Sequence, residues 1–319
     1  MSKVLIIIIG QLRATNLTYS NICDNLINKL NADLCVCTES MPNTDYSNNN
    51  FTLKSKYVFN FNKPLDYTPL FDDYYNKIIK NNNISDNVNW KKLLELEDDS
   101  MGPLKFNSFY NQRGSGWIII NLYSFLVGKL LENDLINKYD RFIITRSDFI
   151  YRIEHPSLDL LDSSFIWLQN GEHHGGLTNR HTVLSRLNVI DYLNVFENII
   201  INFDIFYDKL QHMVPLNIEK YLLIHLKIKY SSKIRFFPYI MFIIRNADDP
   251  TNYKYGEWND KYNTYVKYKG EYCFSRITVD KFNFSNLTID KFYGRQIKKL
   301  NRSEILFRII NQIKTNKIK

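Results

Sequence analysis

Arg146 and Asp148, in the tripeptide Arg146-Ser147-Asp148, follow directly on the apolar run Arg141-Phe142-Ile143-Ile144-Thr145. That run has the length and the β-branched and aromatic content of a buried strand, and chemistry in open α/β sheets collects at carboxyl strand ends. A carboxylate placed there can hold a divalent cation. An arginine two residues away can neutralise phosphate oxygens, so the pair suits a diphosphate with its metal better than an apolar ligand. A plain ion pair between Arg146 and a neighbouring carboxylate, ending the strand and nothing more, fits the same residues equally well.

Other reactive residues sit at comparable places. Gly10-Gln11-Leu12-Arg13 follows the run Val4–Ile9, where the glycine allows a tight turn and Arg13 stands where a diphosphate or a base can meet it. Glu219, after Asn217-Ile218, falls in the first turn of an expected helix Lys220 to Ile228. The helix dipole alone explains a carboxylate there, and the same position would hold a general base rigidly at the rim of a cleft. Glu172, His173 and His174 lie in the glycine-rich stretch Gly171 to Gly176, which can approach a ligand closely or supply a metal ligand, or can be a loop whose adjacent histidines point apart. Gln112 precedes an apolar segment, Trp117 to Leu131, where its amide can meet a ligand or simply face water. No Gly-x-Gly-x-x-Gly and no Gly-x-x-x-x-Gly-Lys-Ser/Thr occurs, which disfavours a dinucleotide or P-loop enzyme.

These residues need elements to hold them. Val4 to Ile9 is an unbroken β-branched run, the mark of a strand covered on both faces. Tyr19, Ile22, Cys23, Leu26, Ile27 and Leu30 then recur at helical spacing, and Asp33 to Thr38 is a second strand. Strand, helix, strand within forty residues predicts a right-handed βαβ unit and a mostly parallel, helix-flanked sheet of nucleotide-binding type. A third strand is expected at Tyr57 to Phe61, a buried helix at Trp117 to Leu131, and a strand at Ser164 to Leu168. Leu184, Leu187, Ile190, Tyr192, Leu193 and Phe196 predict one amphipathic helix, and Arg235 to Ile244 a single edge strand around Pro238. The stretch from Asn62 to Met101 carries no assignable chemistry, and beyond Arg245 a small elaboration is expected.

Composition bounds the partners. The chain has 319 residues, 45 % of them hydrophobic and 23 % charged, enough for one large α/β domain with a supplement. Net charge is +8, and residues 291 to 319 hold nine Lys or Arg against Glu304 alone, so the rest is close to neutral. A nucleic-acid-binding body is therefore not expected. In the tail, Arg295, Lys298, Lys299 and Arg302 share one helical face, with Leu306, Ile309, Ile310 and Ile313 at apolar spacing. Such a helix can lie on an anionic membrane or pack its apolar stripe on the body. The four cysteines, Cys23, Cys35, Cys37 and Cys273, form no Cys-x-x-Cys pair and read as reduced core thiols. The apolar run at the amino terminus is too short for a signal segment or a span, so a cytoplasmic location is expected.

Taken in order, Gly10-Gln11-Leu12-Arg13, Thr38, Tyr139-Asp140, Thr145-Arg146-Ser147-Asp148, Asn179-Arg180-His181 and Asn217-Ile218-Glu219 resemble a group of GT-A-type glycosyltransferases. Members occur in bacterial surface-polysaccharide loci and in large DNA viruses. The likeness spans residues 1 to 245, which would form the catalytic domain, with 246 to 319 as an extension. The resemblance implies a GT-A-like, Rossmann-like α/β fold. It implies a nucleotide-sugar donor, first of all a UDP-sugar, and a glycan or glycosylated acceptor. Asp148 would stand as the metal-binding aspartate of a D-x-D motif, with Mn²⁺ or Mg²⁺ bridging it to the donor diphosphate. Arg146 occupies the place of the first aspartate, a departure that bears on metal dependence. Gln11, Arg13, Thr38 and Gln112 would border the nucleotide, and Arg180 would meet the phosphates. An inverting enzyme of this kind needs a carboxylate base, for which Glu219 comes first and Glu172 second. The alternative is a scaffold without enzymatic activity whose basic tail binds nucleic acid or membrane.

Overall fold

The computed structural model describes residues 2–40, 42, 44–84, 88–96, 101–109, 114–247 and 256–316, with side chains as far as Arg302. The run Val4–Ile9 is strand β1, and Leu5, Ile6, Ile7 and Ile8 are all fully buried. It lies between β2 (Asp33–Ser40) and β4 (Arg141–Thr145), both parallel to it, with β3 (Tyr57–Asn62) parallel to β2 on the far side. A strand paired on both edges and covered on both faces favours a nearly continuous apolar run. Alternate residues feed two cores. Leu5, Ile7, Cys35, Cys37 and Phe142 face one, and Ile6, Ile8, Val36 and Ile143 face the other. The thiols of Cys35 and Cys37 are buried there, and burial pushes that of Cys37 up to about 12, so it stays protonated and inert.

The order of the seven-stranded sheet is β3-β2-β1-β4-β7-β6-β8, where β5 is Phe149–Tyr151, β6 Ile166–Gln169, β7 Thr182–Ser185 and β8 Ile234–Phe237. Only β7 runs antiparallel to its neighbours, so the sheet is mixed but mostly parallel, Rossmann-like and consistent with the expected GT-A-like fold. The chain leaves β1 towards β2 on one side, whereas β4 pairs on the other. The crevice at their carboxyl ends is the topological switch point.

Two expectations are corrected. The single amphipathic helix expected from Leu184 to Phe196 begins instead with β7: Val183 and Leu184 are buried on opposite faces of the sheet, while Leu187 is exposed. Short helices follow at Val189–Leu193 and Val195–Ile201. Arg235 to Ile244 is two strands, because Pro238 has no N–H to give to a ladder. The first is β8 at the sheet edge; the second is β9 (Met241–Arg245), which belongs to a separate antiparallel sheet of order β10-β11-β9-β5. There β10 is Glu257–Asn259 and β11 is Thr264–Val266. The stretch after Asn62, to which the sequence assigns no chemistry, contains the helix Thr68–Asn82, whose Phe71 meets Trp90, Trp117 and Phe196 in an aromatic cluster.

Pairing of Tyr265 with Arg245 and of Val266 with Ile244 joins residues on either side of position 245 in one sheet. The last helix, Ile289–Asn316, buries Phe292, Tyr293 and Ile297 against the body. The Asn301 amide both donates to the Phe236 carbonyl, at 2.9 Å, and accepts from its N–H, at 3.1 Å, closing the open edge of β8. The side chains of Leu306, Ile309, Ile310 and Ile313 lie outside the described residues. Among the described residues no helix is long and apolar enough to cross a membrane.

Candidate functional site

At the switch point the chain makes its turn out of β1 with Gly10 at φ 97°, a conformation that favours glycine. Ser147, between Arg146 and Asp148, ties the exits of β1 and β4 together. Its hydroxyl accepts from the Arg13 N–H at 3.0 Å and lies within reach of the Arg13 and Gln11 carbonyls. Arg13 donates to the Gln11 amide oxygen, and the Gln11 amide reaches Glu39 at 3.5 Å. Glu39 also accepts from the Tyr67 hydroxyl and lies 3.9 Å from Lys63, just past β3. A polar band therefore crosses the ends of four parallel strands, β4, β1, β2 and β3.

Opposite this band stands the helix Ile218–Tyr230. Its N-cap Asn217 accepts from the Lys220 N–H at 3.0 Å and donates to the His174 carbonyl at 3.0 Å. The glycine-rich loop closes on the first turn of the helix, where the Leu177 N–H donates to the Glu219 carbonyl at 2.8 Å. A Cβ on Gly176 would lie 2.0 Å from that carbonyl oxygen, so only glycine allows the approach. Glu219 is thereby held by its own backbone, with its carboxylate 3.8 Å from Arg180. Burial raises its pKa, an effect that Arg180 and Arg146 offset only in part.

Arg180 is fixed from several sides. It donates to Glu271 at 2.5 Å and to the His174 ring at 2.9 Å, and lies over the Tyr268 ring at 4.4 Å. Glu271 in turn accepts from the Ile243 N–H at 2.9 Å, so the second sheet braces the site. A cleft of about 350 Å³ opens between these walls. Six cationic side chains line it among the described residues: Arg13, Lys63, Arg146, Arg180, Arg245 and Lys267. Glu39 and Glu219 line it as well, while Asp148 and Glu271 pair with its arginines from behind. Six cations against four carboxylates leave an excess of two positive charges. Burial, reinforced by Arg245 and Arg13, lowers the Lys267 pKa to about 8.

Of the residues singled out in the sequence, Gln11, Arg13, Arg146, Arg180 and Glu219 line this cleft. Thr38 does not: it is buried, and the next residue, Glu39, points into the cleft because side chains alternate along β2. Glu172 is not a lining residue either. Its carboxylate packs on Gly270, in the first turn of the helix Lys269–Asn283, and lies 3.6 Å from His174. The two loop histidines diverge, His174 towards Arg180 and His173 against Phe236. Burial and Arg180 lower the pKa of each to about 4, so both are neutral at pH 7. Gln112 lies outside the described residues.

Asp148 is where expectation and structure part most clearly. The carboxylate is only 1 % exposed, and Arg146 stands between it and the cleft. Its Oδ1 accepts from Arg146 Nε at 2.9 Å; its Oδ2 accepts from Arg146 Nη2 at 2.8 Å and from Arg245 Nη1. Burial would raise its pKa, but Arg146 and Arg245 outweigh it and hold the group well below the usual carboxylate range. Both oxygens are occupied by guanidinium N–H groups, and among the described residues no group of three or more His, Cys, Asp or Glu gathers to hold an ion. The residues present do not fit a divalent cation at Asp148.

Arg245, Lys63, Lys267, Tyr268 and Glu271 went unnoticed in the sequence. Arg245 had a readable signal: it is the first charge after the apolar run Met241 to Ile244, as Arg146 is after β4.

No family model matches the chain, and no curated protein matches it in sequence. Among solved structures, the apo form of mouse xyloside xylosyltransferase 1 is similar over 74 % of this chain and 85 % of that one, at 7 % identity and a TM-score of 0.37. A likeness at that score carries no argument about fold or chemistry.

Proposed function

We propose that the protein transfers a sugar from a nucleotide-sugar donor, first of all a UDP-sugar, to a hydroxyl of a glycan or glycosylated acceptor, with inversion at the anomeric carbon. One observation carries this reading. A cleft at the switch point of a mostly parallel sheet combines an excess of two positive charges with a buried carboxylate, Glu219, on a rigid first turn of helix. The diphosphate of a nucleotide sugar bears two negative charges, matching that excess.

In the reaction the acceptor oxygen attacks the anomeric carbon from the face opposite the diphosphate. Its O–C bond forms as the bond from that carbon to the terminal phosphate oxygen breaks, and Glu219 takes the hydroxyl proton. The nucleoside diphosphate leaves with one further negative charge, which Arg146, Arg180 and the other cleft cations stabilise. A raised Glu219 pKa suits the role, because a stronger base draws the proton more effectively.

Incubation with UDP-, GDP- and dTDP-sugars, scored by release of the nucleoside diphosphate with and without glycan acceptors, tests the reading. Turnover of one donor class, lost in Glu219→Gln, is the expected result; no turnover and no binding across the panel would refute it.

A further inference from the structure

We infer that the cleft binds the diphosphate of its donor without a divalent cation, the positive charge being supplied by Arg146 and Arg245 held on Asp148, with Arg13, Arg180 and Lys267 around them. The inference rests on the nucleotide-sugar reading of the cleft and concerns how that site handles charge.

A carboxylate that serves a metal must present free lone pairs to the ion, which then turns its other face to phosphate. Asp148 is 1 % exposed, and guanidinium N–H groups take three of its four lone-pair sites. One guanidinium takes it bidentately, from Nε and Nη2, and a second reaches Oδ2 from β9. Such charge-assisted contacts are the stronger class of hydrogen bond, and a metal taking both carboxylate oxygens would have to displace them. It would also arrive among like charges, since Arg13, Arg180 and Lys267 line the same cleft. The remaining cleft carboxylates are committed too: Glu39 to Tyr67 and Lys63, Glu219 to a place beside Arg180.

What the arrangement does instead follows from its geometry. One carboxylate against two guanidiniums leaves the triad with a single positive charge. Asp148 is then a positioning residue: from behind, it fixes the plane of Arg146, whose side chain is 28 % exposed and forms part of the cleft wall. Planar guanidiniums fixed in this way present N–H groups that match phosphate oxygens in pairs.

Calorimetric titration of the full chain with UDP, GDP and dTDP, first in EDTA and then in millimolar Mn²⁺, tests this. The expected result is that the preferred nucleotide binds in EDTA and that its Kd changes by no more than about twofold on adding Mn²⁺. Binding that appears only with Mn²⁺, or tightens more than about tenfold, overturns the inference and leaves the nucleotide reading standing. Absence of binding by all three in both conditions overturns the reading of the cleft and the inference with it. As a second measurement, Arg245→Gln leaves the Arg146 fork in place and should weaken binding in EDTA by about tenfold, the scale of one lost charge-assisted contact. Unchanged affinity in a folded Arg245→Gln protein overturns the assignment of charge to the triad.

Discussion

Asp148 and Arg245, 97 residues apart in the chain, form an ion pair almost sealed from solvent, and that pair joins the end of β4 to the end of β9. It links the two sheets at the point where the cleft opens. The backbones of the two segments meet again beside it, since the Ile244 N–H donates to the carbonyl of Asp148, in the turn before β5, at 2.9 Å.

Asp148→Asn keeps the volume and removes the charge, leaving two arginines without their counterion. Breaking a buried pair from one side typically costs about 3–5 kcal/mol, and that loss is expected in the free energy of urea unfolding. An unchanged midpoint would mean that the triad is more open to water than its burial shows.

Glu219→Gln should lower transfer by about 10²–10⁴-fold, the usual worth of a general base, while leaving nucleotide affinity unchanged. Because burial raises the Glu219 pKa, kcat/KM of the native enzyme should climb with pH through a value above the ordinary glutamate range. The base is inactive when protonated, so activity is lost on the acid side. A pH profile of the residual activity of Glu219→Gln should lack this limb; its persistence would assign the limb elsewhere.

On the proposed reading, Lys267 should set the alkaline side of the pH profile. Its pKa of about 8 means that the ammonium charge, and with it part of the attraction for the diphosphate, disappears above that pH. For the free enzyme, kcat/KM for the donor should therefore fall as pH rises through about 8. Lys267→Arg should carry the charge to higher pH and extend activity there. Identical profiles for the two proteins would remove Lys267 from donor binding.

Gly176→Ala tests how Glu219 is held. The added Cβ would sit 2.0 Å from the Glu219 carbonyl oxygen, a backbone atom that cannot swing aside. Overpacking of this kind costs about 1–3 kcal/mol, and the displaced first turn should lower kcat more than it raises KM. Native kinetics in Gly176→Ala would show that the loop does not set the position of the base.

The parts of the fold legible in the sequence are those where one physical demand dominates. β1 and β4 lie where their apolar runs predict, because a strand buried on both faces carries apolar side chains along most of its length. Leu184 misled, since Leu184, Leu187 and Ile190 keep helical spacing although the chain turns from strand to loop between them. Thr38 was one residue off, and in a strand one residue is the opposite face. The role of Asp148 was not readable from its neighbours. Its second partner is distant in sequence, and an aspartate at a strand end looks the same whether a metal or a guanidinium will meet it. Lys267 and Tyr268 reach the cleft, and Glu271 braces it from behind, through a second sheet of short strands whose pairing leaves no periodic signal.

The most direct measurement is a crystal structure of the protein with its tightest-binding nucleoside diphosphate, grown in EDTA. The account expects the pyrophosphate between the ends of β1 and β4, its oxygens within hydrogen-bonding distance of Arg146 and Arg180 and with Glu219 facing the terminal phosphate. A nucleotide lodged on another surface, or a pyrophosphate turned away from those arginines, would contradict it.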